Sequence, residues 1–175
     1  MKQTIYFISG PAGVGKSTTA KQLINRLAKG AYISGDDVSH IPIKGRRNPW
    51  LCEETYRLTW ENIFSLTQNL LKYGYNVVID YVSFPRDVDW FVGKLNDQEA
   101  EVKYVVLSTD LSTLLHRDGS RPEELKMGER CSILFKEFRE LEGGDRFTLN
   151  TEAYGLEKME EIVDKLMEDR KYIWY

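Results

Sequence analysis

Gly10-Pro11-Ala12-Gly13-Val14-Gly15-Lys16-Ser17 forms a complete G-x-x-x-x-G-K-[ST] phosphate-binding loop, and such a loop works only between a buried strand and a helix. Its glycines let the backbone wrap until the N–H groups point inward at phosphate oxygens. Lys16 is placed to reach the β- and γ-phosphates of a nucleotide, and the Ser17 hydroxyl to sit on Mg²⁺. Thr18 and Thr19 open the next helix, whose N-terminal dipole favours the same anion. The flanks comply. Thr4 to Ser9 is a β-branched and aromatic run suited to a central parallel strand. From Ser17 to Leu27, Ala20, Leu23, Ile24 and Leu27 recur at helical spacing, with Lys21, Gln22, Asn25 and Arg26 outward. Loop and context together imply nucleotide binding.

The same alternation continues along the chain. Ala31 to Ser34 reads as a short strand that Gly35-Asp36-Asp37 leaves, followed by a polar loop with Pro42, Gly45 and Pro49. Glu53 to Tyr73 carries Tyr56, Trp60, Ile63, Thr67, Leu70 and Leu71 along one helical face, and Gly74 stops it. Asn76 to Asp80 is a buried strand ending in a carboxylate, and Arg86 to Leu95 a short helix. Val102 to Ser108 is the next strand, and Asp110 or Ser112 can cap a helix through Leu115 and Arg117. Asp118 to Gly128, punctuated by Gly119 and Pro122, reads as an exposed mobile loop. A helix from Glu129 to Leu141, closed by Gly143-Gly144, precedes a strand at Arg146–Asn150 and an amphipathic helix at Leu156–Met167. Strands alternating with helices predict a single α/β domain with a parallel sheet and ligands at the strands' carboxyl ends.

Composition narrows the function classes. At 175 residues the chain is one ordinary domain with room for a full core. Lys plus Arg is 24 and Asp plus Glu 27, a net charge of −3 without a dense basic run. This disfavours extended nucleic acid as a partner. Cys52 and Cys131 lack metal-ligand spacing and read as free thiols of a reducing compartment. The initial apolar stretch is too short for a signal-peptide core or a membrane span, so a cytoplasmic, membrane-free protein is expected.

Taken together, Gly10 to Ser17, Gly35-Asp36, Val78-Ile79-Asp80, Arg117-Asp118-x-x-Arg121 and Asn150-Thr151 resemble the small P-loop kinases, the group of gluconate kinase, shikimate kinase and chloramphenicol phosphotransferase. The resemblance covers nearly the whole chain. It implies a three-layer P-loop fold with a five-stranded parallel sheet in the order 2-3-1-4-5 and a lid at about residues 118–128. It also implies transfer of a phosphoryl group from ATP, with Mg²⁺, to a small-molecule hydroxyl. Gly10 to Thr18, Arg117 and Thr151 then hold nucleotide, and Ser17 and Asp80 the metal.

Asp36 lies 20 residues beyond Lys16 at a strand exit, where a carboxylate can accept the proton of a substrate hydroxyl. Gluconate kinases continue from Gly-Asp into Phe-Leu-His-Pro, whereas Asp37-Val38-Ser39-His40-Ile41-Pro42 stands here. Alignment on His40 selects Asp37, so Asp36 is the expected base and Asp37 the alternative. Asp80 can hold a Mg²⁺-bound water or the substrate. The antibiotic phosphotransferases resemble this chain in carrying a carboxylate there, and gluconate kinases do not, which turns the expected acceptor away from gluconate.

Arg117, Arg121 and Arg130 bracket the lid, where planar guanidinium groups suit a transferring phosphoryl group. Arg117 and Arg121 are expected to act with Lys16 and Asp36. Arg46 and Arg47 sit where a substrate would arrive, with Arg46 a candidate for an anionic one. Tyr81 joins Asp36, Asp37, Arg46 and Asp80 as an acceptor contact, and Trp50, Phe84 and Trp90 are further candidate pocket residues. The acceptor class expected is a sugar acid, polyol or antibiotic. A nucleoside, nucleotide or polynucleotide 5′-kinase and a nucleotide-gated regulatory ATPase are the alternatives. The sequence is silent on oligomeric state.

Overall fold

The structure, a computed structural model, describes residues 2–95, 100–123, 126–141, 144–152, 154 and 158–174. Five parallel strands form one sheet: β1 (Gln3–Ser9), β2 (Gly30–Ser34), β3 (Asn76–Asp80), β4 (Ala100–Ser108) and β5 (Thr148–Asn150), in the order β2-β3-β1-β4-β5. Burial on both faces explains why β1, β3 and β4 read as near-continuous apolar runs. One face (Ile5, Phe7, Val77, Ile79, Val102, Tyr104) packs on α3 (Glu53–Lys72) and α4 (Pro85–Val92). The other (Tyr6, Ile8, Val78, Val105, Leu107) meets α1 (Lys16–Arg26), α5 (Leu111–Gly119), α6 (Glu129–Arg139) and α7 (Met159–Glu168). The three-layer fold and strand order agree with the expectation. Among the described residues no helix is long and apolar enough to cross a membrane.

Register sets the site. Ile8 and Ser34 both pair with Asp80, so β1, β2 and β3 end level, and the phosphate loop, Asp36 and Asp80 emerge from one edge.

Three local readings change. Gly35-Asp36-Asp37 does not leave β2 as coil: the residues start a short helix, α2 (Gly35–Ser39), with the Ser34 hydroxyl accepting the Asp37 N–H. The expected loop at 118–128 begins later, because α5 runs on through Gly119 and Asp118 is buried. Arg146 belongs to a 3₁₀ turn at Gly144–Arg146 instead of the last strand. Gly143, Leu156 and the lid residues Glu124 and Leu125 lie outside the described residues. The tail packs on the sheet: Trp174 donates its N–H to Val102 and meets Tyr104 edge-on.

Candidate active site

The phosphate loop is a local consequence of its glycines. Gly10, Gly13 and Gly15 all take positive φ, at 132°, 84° and 105°. At Gly10 a Cβ would also lie 2.4 Å from the Leu107 carbonyl oxygen, so only glycine lets the chain leave β1 against β4. Gly15 then caps α1, leaving the first-turn N–H groups facing the loop. Pro11, Ala12 and Val14 are buried and carry the loop on the domain. Ser17 and Thr18 are exposed on the first turn of α1.

Lys16 curls across this loop, its Nζ donating to the Gly10 and Pro11 carbonyls at 3.0 Å each. Burial pushes its pKa down, opposed by the negative charges of Asp80 and Asp36, while Arg121 pushes it further down. Lys16 thus sits over the loop among charges from three other parts of the chain. Asp36 is open to the cleft, yet the protein mass around it raises its pKa. Lys16 opposes that rise and Asp80 adds to it. Asp37, on the same turn, also lines the cleft.

Asp80 is buried at the end of β3 and accepts the Tyr32 hydroxyl at 2.6 Å. Ser17 neighbours that same phenol, whose pKa is raised by burial and then by Asp80. The Ser17 hydroxyl and the Asp80 carboxylate are therefore gathered around one tyrosine. A Mg²⁺ ion takes one or two protein oxygens and fills its octahedron with water and phosphate. The pair fits that demand, and a bound Mg²⁺ would neutralise charge on the phosphates.

Arg117 and Thr151 lie on the other side of the loop. Arg117 Nη1 is 3.4 Å from the Gly13 and Val14 carbonyls. Thr151 is buried, its N–H and hydroxyl both donating to the Ser108 carbonyl at 2.8 and 3.0 Å. Arg121 Nη1 is 3.6 Å from Asp118, whose carboxylate also accepts the N–H groups of Met127 and Gly128. Arg130 faces Glu137 through two bonds at 3.2 and 3.3 Å and stands 5.8 Å over the Trp50 ring. The two sides of the cleft meet there.

On the acceptor side, Arg46 gives Nε and Nη2 to the Ser39 carbonyl and hydroxyl at 2.7 and 3.2 Å. Tyr81 is buried under Gly35 and edge-on to Trp60 at 5.5 Å. These residues line one open cleft of about 2510 Å³ that also takes in Lys16, Asp36, Asp80, Arg117, Arg121 and Thr151. The expected site residues on the loop, after β2, after β3 and around the lid are brought together. Sequence reasoning missed Tyr32, the Asp118 clasp and Asp87. Tyr32 carries no motif, Asp118 reads as a loop residue, and Asp87 looks like an ordinary helix-end carboxylate. Tyr32 pairs with Val78, two residues before Asp80 and so on the same face of the sheet, and strand alternation was the one signal available.

The family model described as AAA domain matches residues 5–131. No protein of curated function matches the sequence. Solved structures of similar length do share the fold. The tunicamycin resistance protein of Deinococcus radiodurans is 18% identical, with 95% of this chain and 96% of that one covered and a TM-score of 0.65. A gluconokinase from Sinorhizobium meliloti 1021 is 16% identical over 95% and 89%, also at 0.65. The Mycobacterium tuberculosis APS kinase CysC, in complex with AMPPNP and APS, is 18% identical over 93% and 96% at 0.62. At such identities the likeness is one of fold: a small P-loop kinase-like fold.

Proposed function

Since this chain belongs to the AAA domain family, we propose that it transfers the terminal phosphoryl group of Mg²⁺-ATP to a hydroxyl group of a small molecule. One observation carries the reading: Lys16, Asp36, Asp80 and Arg121 line one cleft with the phosphate loop, the Lys16 ammonium lying over the loop carbonyls. A protein that only binds or senses nucleotide needs the loop, Lys16 and Ser17. It has no use for a carboxylate with a raised pKa beside the phosphates and an arginine on the opposite wall.

Each residue has a distinct task. The loop N–H groups and Lys16 hold the phosphates, and Arg117 and Thr151 flank the nucleotide side. Asp36 accepts the acceptor's hydroxyl proton as that oxygen attacks. Its raised pKa brings the carboxylate closer in basicity to the proton it must take. Arg121 neutralises charge that grows on the transferring group. Fold likeness to an APS kinase bound to AMPPNP supports ATP as the donor.

The test is a coupled ADP-release assay against sugars, sugar acids, nucleosides and aminoglycoside- or nucleoside-type antibiotics, with calorimetry for ATP, ADP and GTP. Acceptor-dependent ADP release is expected. Failure of all three nucleotides to bind would sink the reading.

A further inference from the structure

The α3–α4 wall of the cleft carries groups that nucleotide chemistry does not use. Asp87, at the start of α4, lines the cleft yet is only 4% exposed. One carboxylate oxygen accepts the Phe84 N–H at 2.7 Å, and the other accepts the Tyr56 hydroxyl. A carboxylate oxygen has two lone pairs, so each still has capacity for a donor. On α3, Trp60 is 3% exposed, lines the same cleft, and its Nε1 is the buried side-chain polar atom without a partner among the described residues. Buried donors are nearly always satisfied, and an exception asks for a cause.

This wall adjoins the reaction centre. Asp36, Tyr56, Tyr81 and Asp87 line the same cleft, and the Tyr81 phenol is pushed up in pKa by burial and then by Asp36, Tyr56 and Asp87. Three nearby cations have partners: Arg46 serves Ser39, Arg130 serves Glu137, and Arg86 Nε stands 3.7 Å from Asp87. Arg57 also lines the cleft but is solvent-exposed, where water and salt screen its charge.

We propose that Asp87, Tyr56 and Trp60 bind the acceptor, and that the acceptor is an uncharged or cationic polyhydroxylated ring compound, with sugar acids and phosphorylated molecules excluded. The inference rests on the phosphotransferase reading and names its substrate class. Carboxylates accept from hydroxyl or ammonium groups, and Asp87 on this wall and Asp36 at the reaction centre both repel an anion. Trp50 and Trp90, exposed on the same cleft, offer apolar ring surface to the flat face of a cyclic acceptor. The Trp60 indole N–H has only donor capacity and suits a ring or hydroxyl oxygen.

The experiment uses the full chain with Mg²⁺-ATP and matched pairs: uridine against UMP, glucose against gluconate, and an aminocyclitol antibiotic against its phosphorylated form. Binding by calorimetry and ADP release are both read. The expected result is at least one uncharged or cationic member turned over, with kcat/KM about 100-fold or more above its anionic partner. Asp87→Asn keeps an acceptor for the Phe84 N–H, and should raise acceptor KM about 10- to 100-fold with ATP KM unchanged. Tyr56→Phe should raise it less and carries the test if Asp87→Asn does not fold. Preference for the anionic members overturns the proposal, as does an unchanged acceptor KM in both variants. Binding of none of the uncharged or cationic compounds by the ATP-loaded protein also overturns it. Loss of ATP binding itself is a separate failure, of the phosphotransferase reading, and removes this inference with it.

Discussion

The ring of Tyr81 fills the space in which any side chain at Gly35 would begin: a Cβ there would lie 2.2 Å from Tyr81 Cγ and 2.4 Å from Cδ2. The ring has little room to retreat, because it is buried and braced edge-on by Trp60. This contact lets β2 turn directly into α2 and set Asp36 at the cleft. Gly35→Ala should therefore cost about 1–3 kcal/mol by overpacking, a fall in Tm of ~2–4 °C per kcal/mol at this size. Acceptor turnover should fall with it. A cycle with Tyr81→Leu should show coupling, since the two residues share one space. Additive effects would mean that the ring is not what the added methyl meets.

Lys16→Ala should abolish transfer, because it removes the ammonium placed over the loop. Fold and Tm should change little, as the groups it engages in this structure are the Gly10 and Pro11 carbonyls beside it. In the parent protein, Mg²⁺-ATP at about 100 times Kd should add ~2.7 kcal/mol of stability. Thermal shift with and without nucleotide checks both statements, and an active Lys16→Ala variant contradicts the first.

Asp36 gives the pH prediction. Only the deprotonated carboxylate accepts the hydroxyl proton, so kcat/KM should fall as pH drops through a pKa above the ordinary aspartate range. Asp36→Asn should lose that limb and about 10²–10⁴ in rate, with ATP affinity nearly unchanged. Stability runs the other way. A folded-state pKa above the unfolded one contributes stability that is full below the unfolded pKa and lost as pH rises through the folded pKa. At neutral pH Asp36→Asn should thus equal or exceed the parent in Tm, the difference shrinking in acid. Full activity in Asp36→Asn with loss in Asp37→Asn would move the base along by one residue.

Asp118 and Arg121 have different tasks in the segment proposed as a lid: the first anchors it and the second acts on the transferring group. The Asp118 carboxylate holds the Met127 and Gly128 N–H groups at 2.8–3.1 Å. Removing a charged acceptor costs about 1.5–3 kcal/mol. Asp118→Ala should therefore expose those two amides in hydrogen exchange. Arg121→Ala should lower kcat more than it weakens ATP binding, since its charge is used in the transition state. Single-turnover kinetics separate the two, and an effect confined to ATP affinity would remove Arg121 from the chemistry.

What the sequence determined by itself was local or repetitive. Glycine spacing dictated the phosphate loop because positive φ at Gly10, Gly13 and Gly15 is a property of single residues. The β-branched runs and the helical periodicity dictated the order of elements, and the right-handed crossover of parallel strands leaves few topologies. Asp80 was legible because it ends a strand and Asp36 because it follows one closely, and strands of one parallel sheet deliver their carboxyl ends to one edge. Composition misplaced the end of α5: Asp118 and Gly119 look like loop residues. Only the fold supplies the N–H groups of Met127 and Gly128 that make Asp118 a buried anchor. The same holds for Tyr32 on Asp80 and Tyr56 on Asp87, pairs 48 and 31 residues apart. A side chain's role is fixed by its partner, and partners distant in sequence become neighbours only when the sheet and helices close around them.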